Sequence, residues 1–176
     1  MTRAIGWKLE NLERPATLRS VLRPLVIASA LLLAIAAGCG GAAATKADFR
    51  QDVLEARNGA DAGLEQIVYA TSVEDLLARM KTAAVEVRRA STDVREAAAP
   101  KELEDERGQL ADRLQALSDE IAGTVATLEA FPNQAGKTGA LNFAQWNAVQ
   151  AELARLRKQG VDVPPLQRHK PEPIPQ

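Results

Sequence analysis

The sequence predicts an all-α protein, in which an antiparallel helical hairpin lies within a three- or four-helix bundle. Three observations predict it. Apolar residues recur at helical spacing in four segments after residue 45, Ala and Leu dominate these segments, and Pro and Gly punctuate them. With three Phe, two Trp and one Tyr, the core must be built from Leu, Val, Ile and Ala. About 115 residues, from 46 to 160, suffice for one such core.

The first predicted helix begins after Thr45, a candidate N-cap, with Asp48 supplying the negative charge that a helix start favours. The pair Asn58-Gly59 is turn-prone and predicts an interruption of this helix. Gly59 and Gly63 form a GxxxG pattern, which in a polar segment indicates close packing against a neighbouring helix or a local break. The apolar positions at helical spacing are Phe49, Val53, Ala56, Ala60, Leu64, Ile67 and Val68.

The second predicted helix opens with Ser72, and Asp75 three residues later completes a box-like cap. Pro100 ends the helix and suits the first turn of the next one, where a missing N–H costs nothing. Between these limits runs an apolar seam with a period of seven residues. Its a and d positions are Val73, Leu76, Met80, Ala83, Val87, Ala90, Val94 and Ala97.

The third predicted helix has the seam Leu103, Arg107, Leu110, Leu114, Leu117, Ile121, Thr124, Leu128 and Phe131. The connection from the second helix is so short that the two must form an antiparallel hairpin. At the g positions, Arg79 would face Glu120 and Glu86 would face Arg113, each a pair of opposite sign. The e positions are nearly all small or apolar, which predicts that the first and fourth helices cover that flank.

The fourth predicted helix starts at Asn142 as N-cap and ends in basic residues before Gly160. Trp146 lies on its apolar stripe and is interpreted as a core anchor. Residues 161–176 hold five prolines together with Arg168, His169 and Lys170, which predicts an extended, disordered tail. The bundle is therefore assigned to residues 46–160 and the tail to residues 161–176.

The beginning of the chain has the organisation of an export signal. Residues 25–37 are uncharged and mostly aliphatic, and this run is too short for a membrane span, which needs roughly 20 residues. Five basic and two acidic side chains precede it, so the flank carries a net charge of +3. This arrangement favours a signal-peptide h-region over a transmembrane helix.

The four residues Ala36-Ala37-Gly38-Cys39 resemble the lipobox of bacterial lipoproteins, although Ala36 stands where a larger aliphatic residue is usual. The resemblance implies cleavage between Gly38 and Cys39 and attachment of a diacylglyceryl group to Cys39. Residues 1–38 would then be a lipoprotein signal peptide, residues 39–45 a flexible tether, and the mature protein lipid-anchored on the extracytoplasmic face of the cell membrane. The alternative is an ordinary secretory signal cut after Ala36, which leaves Cys39 as a free thiol.

The rest of the chain shows no motif for catalysis, a cofactor or a metal. Gly136-Lys137-Thr138 lacks the earlier glycine and the preceding strand of a P-loop. The single histidine, His169, has no partner that would orient it. Acidic residues at 102–106 suit a helix start, and Asp105, Asp112 and Asp119 suit a solvated helix face. Without residues 1–38 the net charge is −4, which argues against nucleic acid as a partner.

These observations predict a cell-envelope lipoprotein that is not an enzyme, whose bundle serves as an interaction or spacer module with an envelope protein as partner. In general character it resembles the small, Ala/Leu-rich helical lipoproteins of GC-rich, actinobacteria-like genomes. The alternative function is a bundle that holds a small apolar or cationic ligand between its helices, with Phe131, Trp146 and Met80 lining the groove. The sequence leaves the oligomeric state open.

Overall fold

The computed structural model describes residues 44–134 and 142–167, and within these ranges it contains helices and no strand. Consecutive helices pack against one another, α1 on α2, α2 on α3 and α3 on α4. The predicted all-α class is confirmed. The helices are α1, Lys46–Val68; α2, Val73–Glu96; α3, Glu104–Ala130; and α4, Ala144–Lys158, with short 3-10 turns at Lys101–Leu103 and Pro132–Gln134.

Helix α1 begins with the predicted cap. The Asp48 N–H donates to Thr45 Oγ1 at 3.2 Å, and the Thr45 N–H donates to the Asp48 carboxylate at 3.4 Å. The predicted interruption at Asn58-Gly59 is wrong, because α1 continues without a break to Val68. Both residues lie on the exposed face, where one glycine costs a helix only about 1 kcal/mol. The apolar face continues beneath them and its burial outweighs that cost.

Helix α2 has the predicted cap Ser72, whose Oγ accepts from the Asp75 N–H at 3.0 Å. The Asp75 carboxylate in turn accepts from the Thr71 N–H at 2.9 Å and from Arg79 Nε at 2.8 Å. The Thr71 hydrogen bond, with support from Arg79, holds the pKa of Asp75 below its ordinary value. The seam that follows is buried, apart from the half-buried Val73.

Helices α2 and α3 form the predicted antiparallel hairpin and approach closely. Ser91 Oγ donates to the carbonyl oxygen of Ala111, and Ser118 Oγ donates to that of Ala84, each at 2.7 Å. All four residues are e positions and all four are buried. The prediction that α1 and α4 cover the e flank is therefore corrected, because these small side chains lie between α2 and α3 themselves.

The charged pairs of the hairpin also differ from the prediction. Arg88 pairs with Asp119 at 2.9 Å and Arg95 with Asp112 at 2.7 Å. These aspartates, which were predicted to form a solvated face of α3, therefore make salt bridges to α2. Arg79 and Glu120 were expected to pair, but Arg79 binds Asp75 on its own helix.

Helix α4 is capped from a distance. The predicted cap Asn142 is not the N-cap, a position taken by Phe143, which makes no side-chain cap hydrogen bond. Instead the Glu120 carboxylate of α3 accepts from the Ala144 N–H at 2.8 Å and from the Gln145 N–H at 2.9 Å. A carboxylate at this place satisfies free N–H groups and complements the helix dipole.

The chain beyond α4 departs most from the prediction. Gly160 ends the helix with φ 86°, and the Val161 N–H donates to the Leu156 carbonyl at 3.0 Å. Residues 161–167, named here the C-terminal strap, have no regular secondary structure but are packed, with Val161, Val163 and Leu166 buried in the core. The disordered tail predicted from residue 161 is thus corrected over these seven residues. Residues 168–176 lie outside the described residues.

Candidate functional site

The residues that the lipobox resemblance singles out, Gly38 and Cys39, lie outside the described residues. His169 and the Gly136-Lys137-Thr138 segment lie outside them too. None of the described helices is long and apolar enough to cross a membrane. Export and lipidation therefore remain predictions from the sequence.

The acidic residues of α3 that the sequence analysis named either lie in the first turn of the helix or form ion pairs with α2. Glu104, Asp105 and Glu106 occupy the first turn of α3, as expected from the helix dipole. Asp112 and Asp119 pair with arginines of α2. Across residues 44–134 and 142–167, no group of three His, Cys, Asp or Glu side chains is arranged to hold a metal ion.

The residues of the alternative ligand groove have different environments. Met80 is fully buried, Trp146 is half-buried against the core, and Phe131 is more than half exposed. Between the helices and the strap there is a small cavity of about 10 Å³, roughly the space of one water molecule. Its lining comprises Val53, Arg57, Val94, Leu110, Leu114, Val149, Leu153 and Leu166, so every helix and the strap contribute to it.

The most elaborate arrangement of polar side chains surrounds the C-terminal strap. On the α1 side, Arg57 Nη2 donates to the Pro165 carbonyl and the Asp61 carboxylate accepts from the Gln167 N–H at 2.8 Å. Arg57 and Asp61 also pair with each other at 3.2 Å, with side chains only 9 and 11% exposed. A buried ion pair needs further hydrogen bonds to offset its desolvation. The strap main chain supplies one to each side chain, whereas the buried Arg57 Nε makes none to any described residue.

On the α4 side, Gln150 binds the strap as a neighbouring strand would. Its Nε2 donates to the Leu166 carbonyl at 2.7 Å, and its Oε1 accepts from the Leu166 N–H at 3.2 Å. Arg157 Nη2 donates to the Val163 carbonyl at 3.1 Å. The strap is thus held between α1 and α4 by side chains that bind its main chain on both sides.

Two residues in the first turns of α1 extend this arrangement toward Gly160. Lys46 Nζ donates to the Gln159 carbonyl at 3.2 Å, and Arg50 Nε donates to the Asp162 carbonyl at 2.8 Å. Arg157 also pairs with the Asp162 carboxylate at 3.7 Å. We name the surface formed by Arg50, Arg57 and Asp61 of α1 with Gln150 and Arg157 of α4 the strap groove.

The strap groove was not among the sites predicted from the sequence. The signal in the strap was the spacing of Val161, Val163 and Leu166, but the prolines around it favoured disorder. On the groove side, Arg57 and Asp61 were four residues apart on a helix, a spacing shared by many surface ion pairs. Their burial depends on the packed strap, which no local pattern reveals.

Comparison with known proteins identifies no relative, since no family model, no curated protein and no solved structure matches the chain. The class that the fold defines is a helical bundle closed by its own C-terminal strap.

Proposed function

We propose that the protein is a lipoprotein of the cell envelope, anchored through Cys39 on the extracytoplasmic face of the cell membrane, with a bundle that serves as a non-enzymatic interaction or spacer module. The observation that carries the proposal is the lipobox-like sequence ending at Cys39, placed directly before a helical bundle. Two or more acyl chains on one cysteine give stable anchoring, whereas a single chain holds a protein only marginally.

The short tether supports a bundle held close to the membrane. Six residues separate Cys39 from Lys46, the first residue of α1. A fully extended chain spans at most about 3.3–3.6 Å per residue, so the tether reaches roughly 20 Å. Helix α1 has 23 residues and a length of about 35 Å, so the tether is shorter than this helix.

The close packing around Met80 among the described residues supports an interaction or spacer role over the alternative of a small-ligand carrier. Ligand pockets typically enclose about 300–1,000 Å³. The small cavity beside the strap is about 10 Å³, and Met80, which was expected to line a ligand groove, is fully buried in the core. Opening room for a ligand between these helices would require repacking the core, which is costly in a close-packed interior.

The anchor is tested by fractionating cells fed a labelled fatty acid. We expect the wild-type chain to carry label and to remain with membranes, and the Cys39→Ala variant to lose both. Gly41→Ala, a change two residues further along the tether, is the matched control and should behave as the wild type. A wild-type chain without label, or a Cys39→Ala variant that stays with membranes, would contradict the proposal.

The interaction role is tested by crosslinking in intact cells, followed by purification of the tagged chain from detergent-solubilised membranes. We expect a reproducible crosslinked envelope protein that is missing when the tag is placed on an unrelated lipoprotein. Repeated experiments without such a species would contradict an interaction role.

A further inference from the structure

We propose that the outer surface of the α2–α3 hairpin binds a second copy of this chain, in a parallel dimer whose two copies are anchored to one membrane. The anchoring of both copies rests on the lipoprotein function proposed above, whereas the pairing of the two surfaces does not. We name this surface the hairpin face. Its charged residues are Lys81, Arg88 and Arg95 of α2 and Asp112, Asp119 and Glu129 of α3.

The charges of the hairpin face are separated by helix. The three basic side chains lie on α2 at intervals of seven residues, and the three acidic side chains lie on α3. They pair across the hairpin at 2.6, 2.9 and 2.7 Å, yet each side chain remains about half exposed or more. A guanidinium has five N–H donors and a carboxylate has two acceptor oxygens, so both can bind a further charged partner.

The hairpin face also has an apolar part. Val85, which is 63% exposed, lies between the first two basic residues of α2. The exposed Ala122 and Ala126 lie between the last two acidic residues of α3. An apolar area bordered by charged side chains is typical of a protein–protein interface.

A second copy complements the charges of the hairpin face in one direction. If a twofold axis runs parallel to the helices, the basic edge of α2 in each copy faces the acidic edge of α3 in the other. Arg88 then lies at the level of the partner's Asp119, because Arg88 and Asp119 share a level within one chain. A twofold axis across the helices would place α2 over α2 and bring like charges together, which is unfavourable.

The position of the tether favours the same direction. Lys46, the first residue of α1, lies at the Pro100 end of the hairpin, where its Nζ is 4.0 Å from the Glu102 carboxylate. A parallel dimer places both tethers at this end. In an antiparallel dimer that stands upright on the membrane, one tether would start about 35 Å further away, beyond its reach of roughly 20 Å.

The hairpin face is large enough for a stable dimer. Helix α2 has 24 residues and a length of about 36 Å. Two neighbouring helices are together about 20 Å wide, so the face covers roughly 700 Å² on each copy. The dimer would bury about 1,400 Å² in total, which lies within the range of about 1,200–2,000 Å² for specific interfaces.

The first test measures dimerisation of the purified full chain in detergent by analytical ultracentrifugation. We expect Arg88→Asp combined with Arg95→Asp to weaken dimerisation at least about tenfold, because both edges of the face then carry negative charge. Asp52→Arg reverses an exposed charge on α1 and should dimerise as the wild type does. Circular dichroism shows whether each variant keeps its helices.

A full charge swap tests the pairing while it keeps two salt bridges within the hairpin. The swapped chain carries Arg88→Asp, Arg95→Asp, Asp112→Arg and Asp119→Arg. It should dimerise with itself as the wild type does, but not with the wild-type chain, because like charges then face each other in the parallel arrangement. A monomeric wild-type chain, or mixed dimers that form as readily as dimers of one kind, would overturn the proposal.

The occupant of the hairpin face in cells is identified by a photo-crosslinking amino acid at position 85. We expect an adduct between two copies of this chain, which is lost when Arg88→Asp and Arg95→Asp are added. An adduct with a different protein instead would assign the face to that protein and overturn the dimer. Ultracentrifugation does not depend on acylation of Cys39, so failure of the dimer and failure of the membrane anchor are distinguishable.

Discussion

Ser91 and Ser118 lie on facing helices, and each donates its hydroxyl to a carbonyl oxygen of the opposite helix at 2.7 Å. Each serine binds the carbonyl of an alanine that lies seven residues from the other serine. The two contacts are therefore related by an approximate twofold axis across the α2–α3 hairpin. A side chain as short as serine reaches the opposite main chain only where two helices approach very closely.

The serine contacts should contribute separately to stability. We expect Ser91→Ala and Ser118→Ala each to lower the free energy of unfolding by about 0.5–1.5 kcal/mol, the typical net value of one hydrogen bond. The contacts are two helical turns apart, so the double variant should equal the sum within about 0.5 kcal/mol. Urea unfolding measures this, and single variants as stable as the wild type would contradict the role assigned to the hydroxyls.

The GxxxG pair in α1 offers a matched test of helix packing. A Cβ added at Gly63 would lie 2.9 Å from Glu86 Cβ, whereas one added at Gly59 meets no atom within 4 Å. We expect Gly59→Ala to stabilise the protein by about 0.5–1 kcal/mol through helix propensity. Gly63→Ala should destabilise it by about 1 kcal/mol, because overpacking exceeds the same gain. A Gly63→Ala variant as stable as Gly59→Ala would contradict the close contact between α1 and α2.

The hydrogen bonds from Glu120 of α3 to the start of α4 predict that Glu120, and not Asn142, stabilises the N-terminus of α4. Glu120→Ala should lower the free energy of unfolding by about 1 kcal/mol, since the Ala144 and Gln145 N–H groups lose their acceptor. Asn142→Ala, at the cap position expected from sequence, should change it by less than about 0.5 kcal/mol. Thermal or urea unfolding of both variants distinguishes them, and the reverse order would restore Asn142 as the cap.

The pKa of Tyr69, the residue directly after α1, depends on a hydrogen bond to Glu65 at the end of that helix. Its hydroxyl donates to the Glu65 carboxylate at 3.1 Å, and this hydrogen bond, with the negative charge of Glu65, raises the pKa of Tyr69 above its ordinary value of 10.0. The stabilisation favours the neutral phenol, so it is complete below pH 10.0 and is lost as the pH rises through the raised pKa. Glu65→Gln should move the titration toward lower pH.

Phenolate absorbance measures this titration directly, because Tyr69 is the only tyrosine of the chain. Glu74→Gln, an exposed carboxylate in the first turn of α2, serves as the control and should leave the titration unchanged. An identical midpoint in the wild type and in Glu65→Gln would show that the hydrogen bond does not form in solution.

The features that could be predicted from the sequence depend on neighbours within a few residues. The period of the seams gives the helices, and the caps at Thr45 and Ser72 follow from side chains three residues away. The end of α4 at Gly160 follows in the same way from the freedom of glycine at positive φ.

The features that could not be predicted depend on residues far apart in the chain. Glu120 caps a helix that begins 24 residues later, and Arg57 binds a carbonyl 108 residues later. The small residues at the e positions were predicted to pack against α1 and α4, whereas they lie between α2 and α3. The size of a side chain alone does not indicate which helix packs against it. The packed strap was not predicted because the prolines of this segment indicated disorder. The burial of its three apolar residues, which depends on the helices around them, is what orders it.

Lipidation at Cys39 can be measured through the intact mass of the protein extracted from membranes. We expect a mature chain that starts at Cys39 and carries a diacylglyceryl group with further acylation. An unlipidated chain that starts at Ala37 would contradict it. The protein would then be a secreted bundle with a free thiol at Cys39.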